Sequence, residues 1–180
     1  YAKASVGRVS LASSRTFTGS VDTATLSYSA TGNWKGWSAG AQGGASYKLD
    51  LGGGLAIKPM ARFDYFRLSE NGYTESGSGA IYLEVAKRTS SVLTGTGSMT
   101  ASWSAGEATR DFRPFTVELE GGYRSRLAGK LGDTVANFED GDQFRLVADN
   151  IKSGWTAEAR VLAGGMDYTW QLAGGAEQVQ

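Results

Sequence analysis

Two carboxylates two residues apart, Glu118 and Glu120, are the pair in this 180-residue sequence that most invites an acid–base reading. Paired carboxylates do such work when they stand about 5 to 10 Å apart across a bound substrate. In an extended segment, however, residues two apart share a face, and Arg124 falls on that face too. Lys58, Arg62 and Asp64 share a face in the same way, as do Glu158 and Arg160. Glu84 stands between Leu83 and Val85, again opposite an apolar face. Together these residues form a surface of mixed sign that screens itself. That fits a hydrated lining better than a reactive centre, and it equally fits the wet side of a soluble sheet.

The chain has no His and no Cys. The commonest general base and metal ligand is therefore missing. Ser-His-Asp and Cys-His catalysis, disulfides and thiolate metal sites are ruled out within the chain. The glycines at 52–54 read as a turn rather than a phosphate loop, because no helix follows them. The sequence thus assigns no catalytic residue, no cofactor and no metal. Lys plus Arg and Asp plus Glu number 18 each, so no basic excess exists to bind nucleic acid. No apolar run approaches the roughly 18 to 20 residues of a membrane helix, and no stretch reads as a signal peptide. The pattern is already under way at Tyr1, so a natural N-terminus is not expected there.

These charges must be positioned by strands. The 26 Gly, 2 Pro and 20 aromatic residues (5 Trp, 8 Tyr, 7 Phe) suit many strands joined by turns. Alternation with a period of two runs through residues 36–49, 55–68, 80–88, 92–103, 113–126, 154–163 and 168–176. Residues 2–10 alternate poorly, and 11–33, rich in Ser, Thr, Gly and Ala, read as a long loop with a strand end near 24–28. Residues 134–138 read as a short strand, and FEDGDQF (138–144) as a turn. Connections are alternately short (48–54, 88–91, 164–167) and long (11–33, 69–79, 104–112). The segments exceed the mean of about 5 to 6 residues for globular strands. No domain boundary is visible.

Alternation alone does not say which face is inside. In a soluble sandwich the apolar face is the core; in a membrane barrel it faces lipid and the polar face lines the lumen. Three features favour the barrel. Trp37, Tyr47, Tyr65, Trp103, Phe115, Tyr123 and Trp155 lie at or near strand ends on the apolar face, where amphipathic rings belong at a membrane interface. The middles of those faces carry small residues such as Ala39, Ala41, Gly95, Gly97, Gly121 and Ala157, which would fill a soluble core poorly. Finally, strands of about 10 residues, tilted, cross a bilayer. A soluble all-β binding module, such as a carbohydrate-binding sandwich with its aromatics stacking on sugars, is the alternative. A membrane-barrel enzyme is a third reading, weakened by the absence of His.

The stretches LDLGGGLAIKPMARFDYFRL, GYTESGSGAIYLEVAKRTSSVLTGTGSMTASW, DFRPFTVELEGGYR and FRLVADNIKSGWTAEARVLAG, in this order and spacing, resemble the translocator β-barrel domain of bacterial autotransporters, the type V secretion family. The resemblance implies an all-β, antiparallel, up-and-down transmembrane barrel of twelve strands in the bacterial outer membrane, of which about nine are visible here. It also implies a helix or linker threading the pore and an N-terminal passenger carried to the cell surface. The expected partners are outer-membrane lipid, the barrel-assembly machinery, the chain's own passenger and, if strands are missing, other chains completing the barrel. Family members close with a strand ending in an aromatic. Here the sequence stops at EQVQ, so the first and last strands are expected to lie outside it. Some members release their passenger by cleavage at a pore Asn; Asn137 and Asn150 lie in weakly patterned segments and are not assigned that role.

Overall fold

The computed structural model describes residues 1–21, 24–77, 82–106, 112–138, 141–149, 151–165 and 169–179. Seven long strands form the wall: β1 (Ala2–Val21), β2 (Ala24–Ser46), β4 (Leu55–Glu70), β8 (Arg88–Ala105), β9 (Phe112–Lys130), β12 (Gly154–Gly165) and β13 (Thr169–Val179). Short strands fall between them: β3 (Leu49–Gly52), β5 (Tyr73–Thr74), β6 (Ser76–Gly77), β7 (Leu83–Val85), β10 (Thr134–Phe138) and β11 (Gln143–Leu146). The long strands pair in chain order, β1-β2-β4-β8-β9-β12-β13, and every neighbouring pair is antiparallel. With β3 on β4 and β6 on β2, the sheet has nine strands. It is the up-and-down meander the alternation predicts, curled as a half-barrel.

The burial pattern shows which way the sheet curls. Along β8 the exposed residues Gly97, Met99, Ala101 and Trp103 alternate with the less exposed Ser98, Thr100 and Ser102, and Thr100 is buried. Along β9 and β12 the apolar Leu119 and Trp155 are each 59% exposed, whereas the side chains of Glu120 and Arg160 are 19% and 25% exposed. A curled sheet crowds side chains on its concave side and spreads them on its convex side. The polar face is therefore concave and the apolar face convex. A soluble sheet would bury its apolar face. Among the described residues, the buried apolar ones are only Ala30, Ala56, Val85, Val92 and Ala136. Among the described residues no sandwich core is present.

The two ends of the wall differ. At one end β2 and β4 are joined through β3 and a turn in which Gly52, Gly53 and Gly54 have φ of 86°, 60° and 80°, a region L side chains avoid. A Cβ on Gly54 would stand 2.1 Å from the Ser104 carbonyl oxygen. Glycine there lets the end of β8 close on the turn, where the Ser104 N–H donates to the Gly54 carbonyl at 2.8 Å. At the other end β5 and β7, between β4 and β8, and β10 and β11, between β9 and β12, form a second, four-stranded sheet, β11-β10-β7-β5.

Several boundaries differ from those the pattern predicts. Residues 11–21 and 24–33, expected as loop, continue β1 and β2 in a hairpin paired without interruption from Ala2↔Gly43 to Val21↔Ala24. The wall proper ends where Gly36 meets Glu70, so the hairpin projects beyond it. This projecting part is rich in Ser, Thr and Gly. The strand expected over 80–88 is instead the three-residue β7 of the second sheet, and the wall resumes at Arg88, inside the expected turn 88–91. Residues 78–81 lie outside the described ones. The expected short strand at 134–138 is β10, and β11 returns antiparallel beside it with Phe138 and Phe144 rings 5.9 Å apart, as a turn at 138–144 requires.

Candidate functional site

Register assembles the concave face row by row. Lys58, Thr100, Glu120 and Glu158 form one cross-strand row, and Ala56, Ser102, Glu118 and Arg160 the next. The Arg160 guanidinium occupies the middle of three carboxylates. It donates to Glu158 at 2.6 Å, to Glu120 at 2.8 Å and to Glu118 at 3.1 Å. Thr100 Oγ1 donates to Glu120 at 3.4 Å. Glu118 and Glu120 are thus brought together by a cation between them, an arrangement that holds charge in place.

Further toward the long connections, Arg62 donates to Asp64 at 2.8 Å, and Gln42 donates to the same carboxylate at 2.6 Å. Arg124 donates to Glu177 at 2.5 Å. Eight of the nine charges read from the sequence as a lining stand on this concave wall. Glu84 does not. It lies in β7, exposed, paired in register with Thr74 and Asn137, so its expected place in the lining is corrected. The parity of Leu83 and Val85 resembles a wall strand, but only three residues of it exist. Gln42 and Glu177 were missed. Gln42 has the right parity but carries no charge, and Glu177 sits in a tail that reads as a turn. Among the described residues, Thr96 Oγ1, Ser98 Oγ and Arg124 Nε are buried on the same face without a hydrogen-bond partner.

Replacing Arg160 by leucine leaves the three carboxylates facing one another. A loss of about 1–3 kcal/mol is expected, less than the roughly 3–5 kcal/mol for a fully buried pair because these groups remain partly hydrated. The urea midpoint of the folded protein in detergent measures it. Adding Glu118→Gln and Glu120→Gln should recover most of the loss; if it does not, the electrostatic account is wrong.

The convex face carries the aromatics in two bands. Tyr47, Trp103 and Phe115 lie toward the end of the wall that holds the 52–54 turn. The connection 104–112, expected to be a long outer one, also falls at that end, whereas 88–91, expected as a short turn, lies at the other end with Trp37, Tyr65, Tyr123 and Trp155. All seven are exposed, from 38% at Tyr65 to 69% at Tyr47. Tyr123 and Trp155 are register partners with ring centroids 4.9 Å apart. Between the bands the face is built from Gly97, Met99, Gly121, Leu119, Ala157 and Ala159.

A family model described as the autotransporter beta-domain matches residues 2–176. No curated protein and no solved structure matches the chain.

Proposed function

This chain belongs to the autotransporter β-domain family, whose members are outer-membrane translocators, and from that membership we propose that it forms the wall of a pore through which an N-terminal passenger polypeptide reaches the cell surface. The observation that carries the reading is the inverted burial. The charged face is concave and the apolar face convex and exposed, as a barrel in lipid requires and a soluble protein avoids. An extended polypeptide in transit needs a wet path that does not hold it. The ion-paired charges around Arg160 and Arg62 offer exchangeable hydrogen bonds and little net field.

The aromatic bands serve as anchors at the two interfaces. The longer connections, with their second sheet, form the outer end. Partners under this reading are outer-membrane lipid, the machinery that inserts barrels, and the passenger itself. Further strands are required as well. β1 and β13 have no partner along their outer edges among the described residues, and each unpaired backbone group in lipid costs several kcal/mol. Those strands come from the same polypeptide beyond this sequence or from another chain. No catalytic activity is proposed.

The test places an epitope ahead of residue 1 in the full reading frame. The expected result is an epitope cleaved by protease added outside intact cells, with the barrel in the outer membrane and migrating in a heat-modifiable way. An inserted, heat-modifiable barrel whose epitope stays in the periplasm would leave an anchor without transport and overturn the proposal.

A further inference from the structure

The convex face carries a localised set of charges that neither lipid anchoring nor transport explains. Strand parity places Arg8, Lys35, Arg67 and Lys130 on it. Lys130 reaches that face because the β8–β9 register shifts between Leu93 and Thr94. All four are exposed, and all lie at the end of the wall nearest the long connections. Among the side chains described on the convex face of the seven long strands there is no Asp or Glu. The acids of these strands are on the concave side. The sign is therefore not mixed, as it is inside, and the position is not random.

Register gives the spacing. Val6, Ala39, Arg67, Ser91 and Lys130 form one row; Arg8 and Trp37 stand in the next, and Ser10 and Lys35 in the one after. With strands about 4.8 Å apart and about 3.4 Å per residue, Arg8 and Arg67 are roughly 12 Å apart, and Lys35 lies between and above them. The Arg8 guanidinium lies over the Trp37 ring, 4.8 Å from its centroid, which holds it flat against the wall. Tyr65 stands two residues along from Arg67. Among the described residues no ion pair engages Arg8, Lys35 or Arg67, whereas the charge of Lys130 acts on Asp133.

We propose that Arg8, Lys35 and Arg67 form a headgroup site for a phosphorylated lipid of the outer leaflet, with Trp37 and Tyr65 against the sugar and upper acyl region. The inference rests on the convex face meeting lipid. Given that, these cations lie at headgroup depth beside interface aromatics. Two arginines and a lysine whose strand positions lie within about 12–15 Å of one another fit a headgroup bearing phosphate, since arginine pairs phosphate through two parallel N–H bonds. A passenger in the lumen does not reach this face, and a zwitterionic headgroup brings its own cation.

The experiment offers purified protein, in uncharged detergent, a diphosphorylated glucosamine lipid (lipid A) or phosphatidylcholine, and reads bound lipid by native mass spectrometry. Wild type is expected to retain the phosphorylated lipid and not phosphatidylcholine. The triple variant Arg8→Gln, Lys35→Gln, Arg67→Gln is expected to bind it about a hundredfold more weakly, at roughly tenfold or less per cation. Lys48→Gln, at the opposite end of the wall and paired with Asp50, should bind as wild type. High salt should weaken the wild-type complex, which gives a second reading if the triple variant folds poorly. Equal retention by wild type and triple variant overturns the site, as does equal retention of both lipids. Displacement by millimolar inorganic phosphate would show a free-anion site and overturn the lipid assignment. A wild-type chain that stays dispersed without detergent would instead refute the lipid-facing wall itself, a distinct outcome.

Discussion

Leu119→Arg is expected to destabilise the folded barrel by about 2–4 kcal/mol, the cost of an arginine on the lipid face near the membrane midplane. The size of that effect is informative because Leu119 is 59% exposed. On a soluble protein, a change at so exposed a position usually falls within about 0.5 kcal/mol, and arginine there would be welcome. Leu119 stands mid-strand in the row Ile57, Ala101, Leu119, Ala159, Gly174, between the aromatic bands and away from either interface to which a long side chain could reach. Ser102→Arg makes the matched comparison. Ser102 is the register partner of Glu118 on the concave face, so the new cation enters a hydrated, carboxylate-rich region, and a change of less than about 1 kcal/mol is expected. Urea unfolding of protein refolded into lipid vesicles, followed by tryptophan fluorescence, measures both. Equal and small effects would mean that the convex face does not meet lipid. A large effect at Ser102 with none at Leu119 would reverse the assignment of inside and outside.

The orientation of the wall was legible in the sequence because two different environments leave different residues. Trp103 and Phe115 at strand ends, with Gly97, Gly121 and Ala157 between the bands, record a surface packed by fluid chains rather than by a fixed core. The wall strands from β4 onward were legible for the same reason, since lipid demands an apolar residue at every second position. Where lipid is absent the demand lapses. The outer half of the β1–β2 hairpin therefore reads as loop, although its pairing is continuous to Val21↔Ala24. Glu84 shows the opposite error. Three alternating residues in a small sheet satisfy the same pattern as a wall strand, and only pairing tells them apart. The site was half legible. Parity places Glu118, Glu120, Glu158 and Arg160 on one face, but which carboxylates share Arg160 depends on the β9–β12 register, and no single strand encodes it. Parity alone would also misplace Lys130, because the shift between Leu93 and Thr94 reverses the faces of the last residues of β9.

Arg15→Ala is expected to unfasten the projecting hairpin while leaving the wall folded. Glu75, between β5 and β6, is 5% exposed. It accepts from Arg15 Nε at 2.8 and 2.9 Å through its two oxygens, and from the Leu83 N–H at 2.9 Å. Around this pair Trp34 and Tyr73 stack with centroids 4.2 Å apart, and β6 pairs with Thr31 and Ala30. Glycine at 32 allows it, since a Cβ there would lie 2.3 Å from Tyr73 Cε2. Removing Arg15 strands a buried carboxylate. A local loss of about 3 kcal/mol is expected, at the low end for a broken buried pair because Arg15 keeps some solvent. Amide exchange of residues 24–34 should speed up by about two orders of magnitude if the segment opens locally, with β8 and β9 unchanged. The pH dependence follows from the same contacts. Burial pushes the Glu75 carboxyl up, but the Arg15 hydrogen bonds, the Leu83 N–H and the Arg15 charge outweigh it and hold it below the usual glutamate range. A carboxyl lowered on folding stabilises the fold above its unfolded pKa, about 4.3. That contribution is lost as the pH falls through the lowered folded value. Wild type should therefore keep its hairpin protected at neutral pH and lose protection only on acidification below that range. In Arg15→Ala burial is opposed by the Leu83 N–H alone, so the carboxyl rises and whatever protection remains should disappear at higher pH than in wild type. Glu75→Gln should show no such transition. An unshifted acid transition in Arg15→Ala would mean that Arg15 does not hold this carboxylate, and fast exchange of β8 along with the hairpin would mean that the hairpin and wall open as one unit.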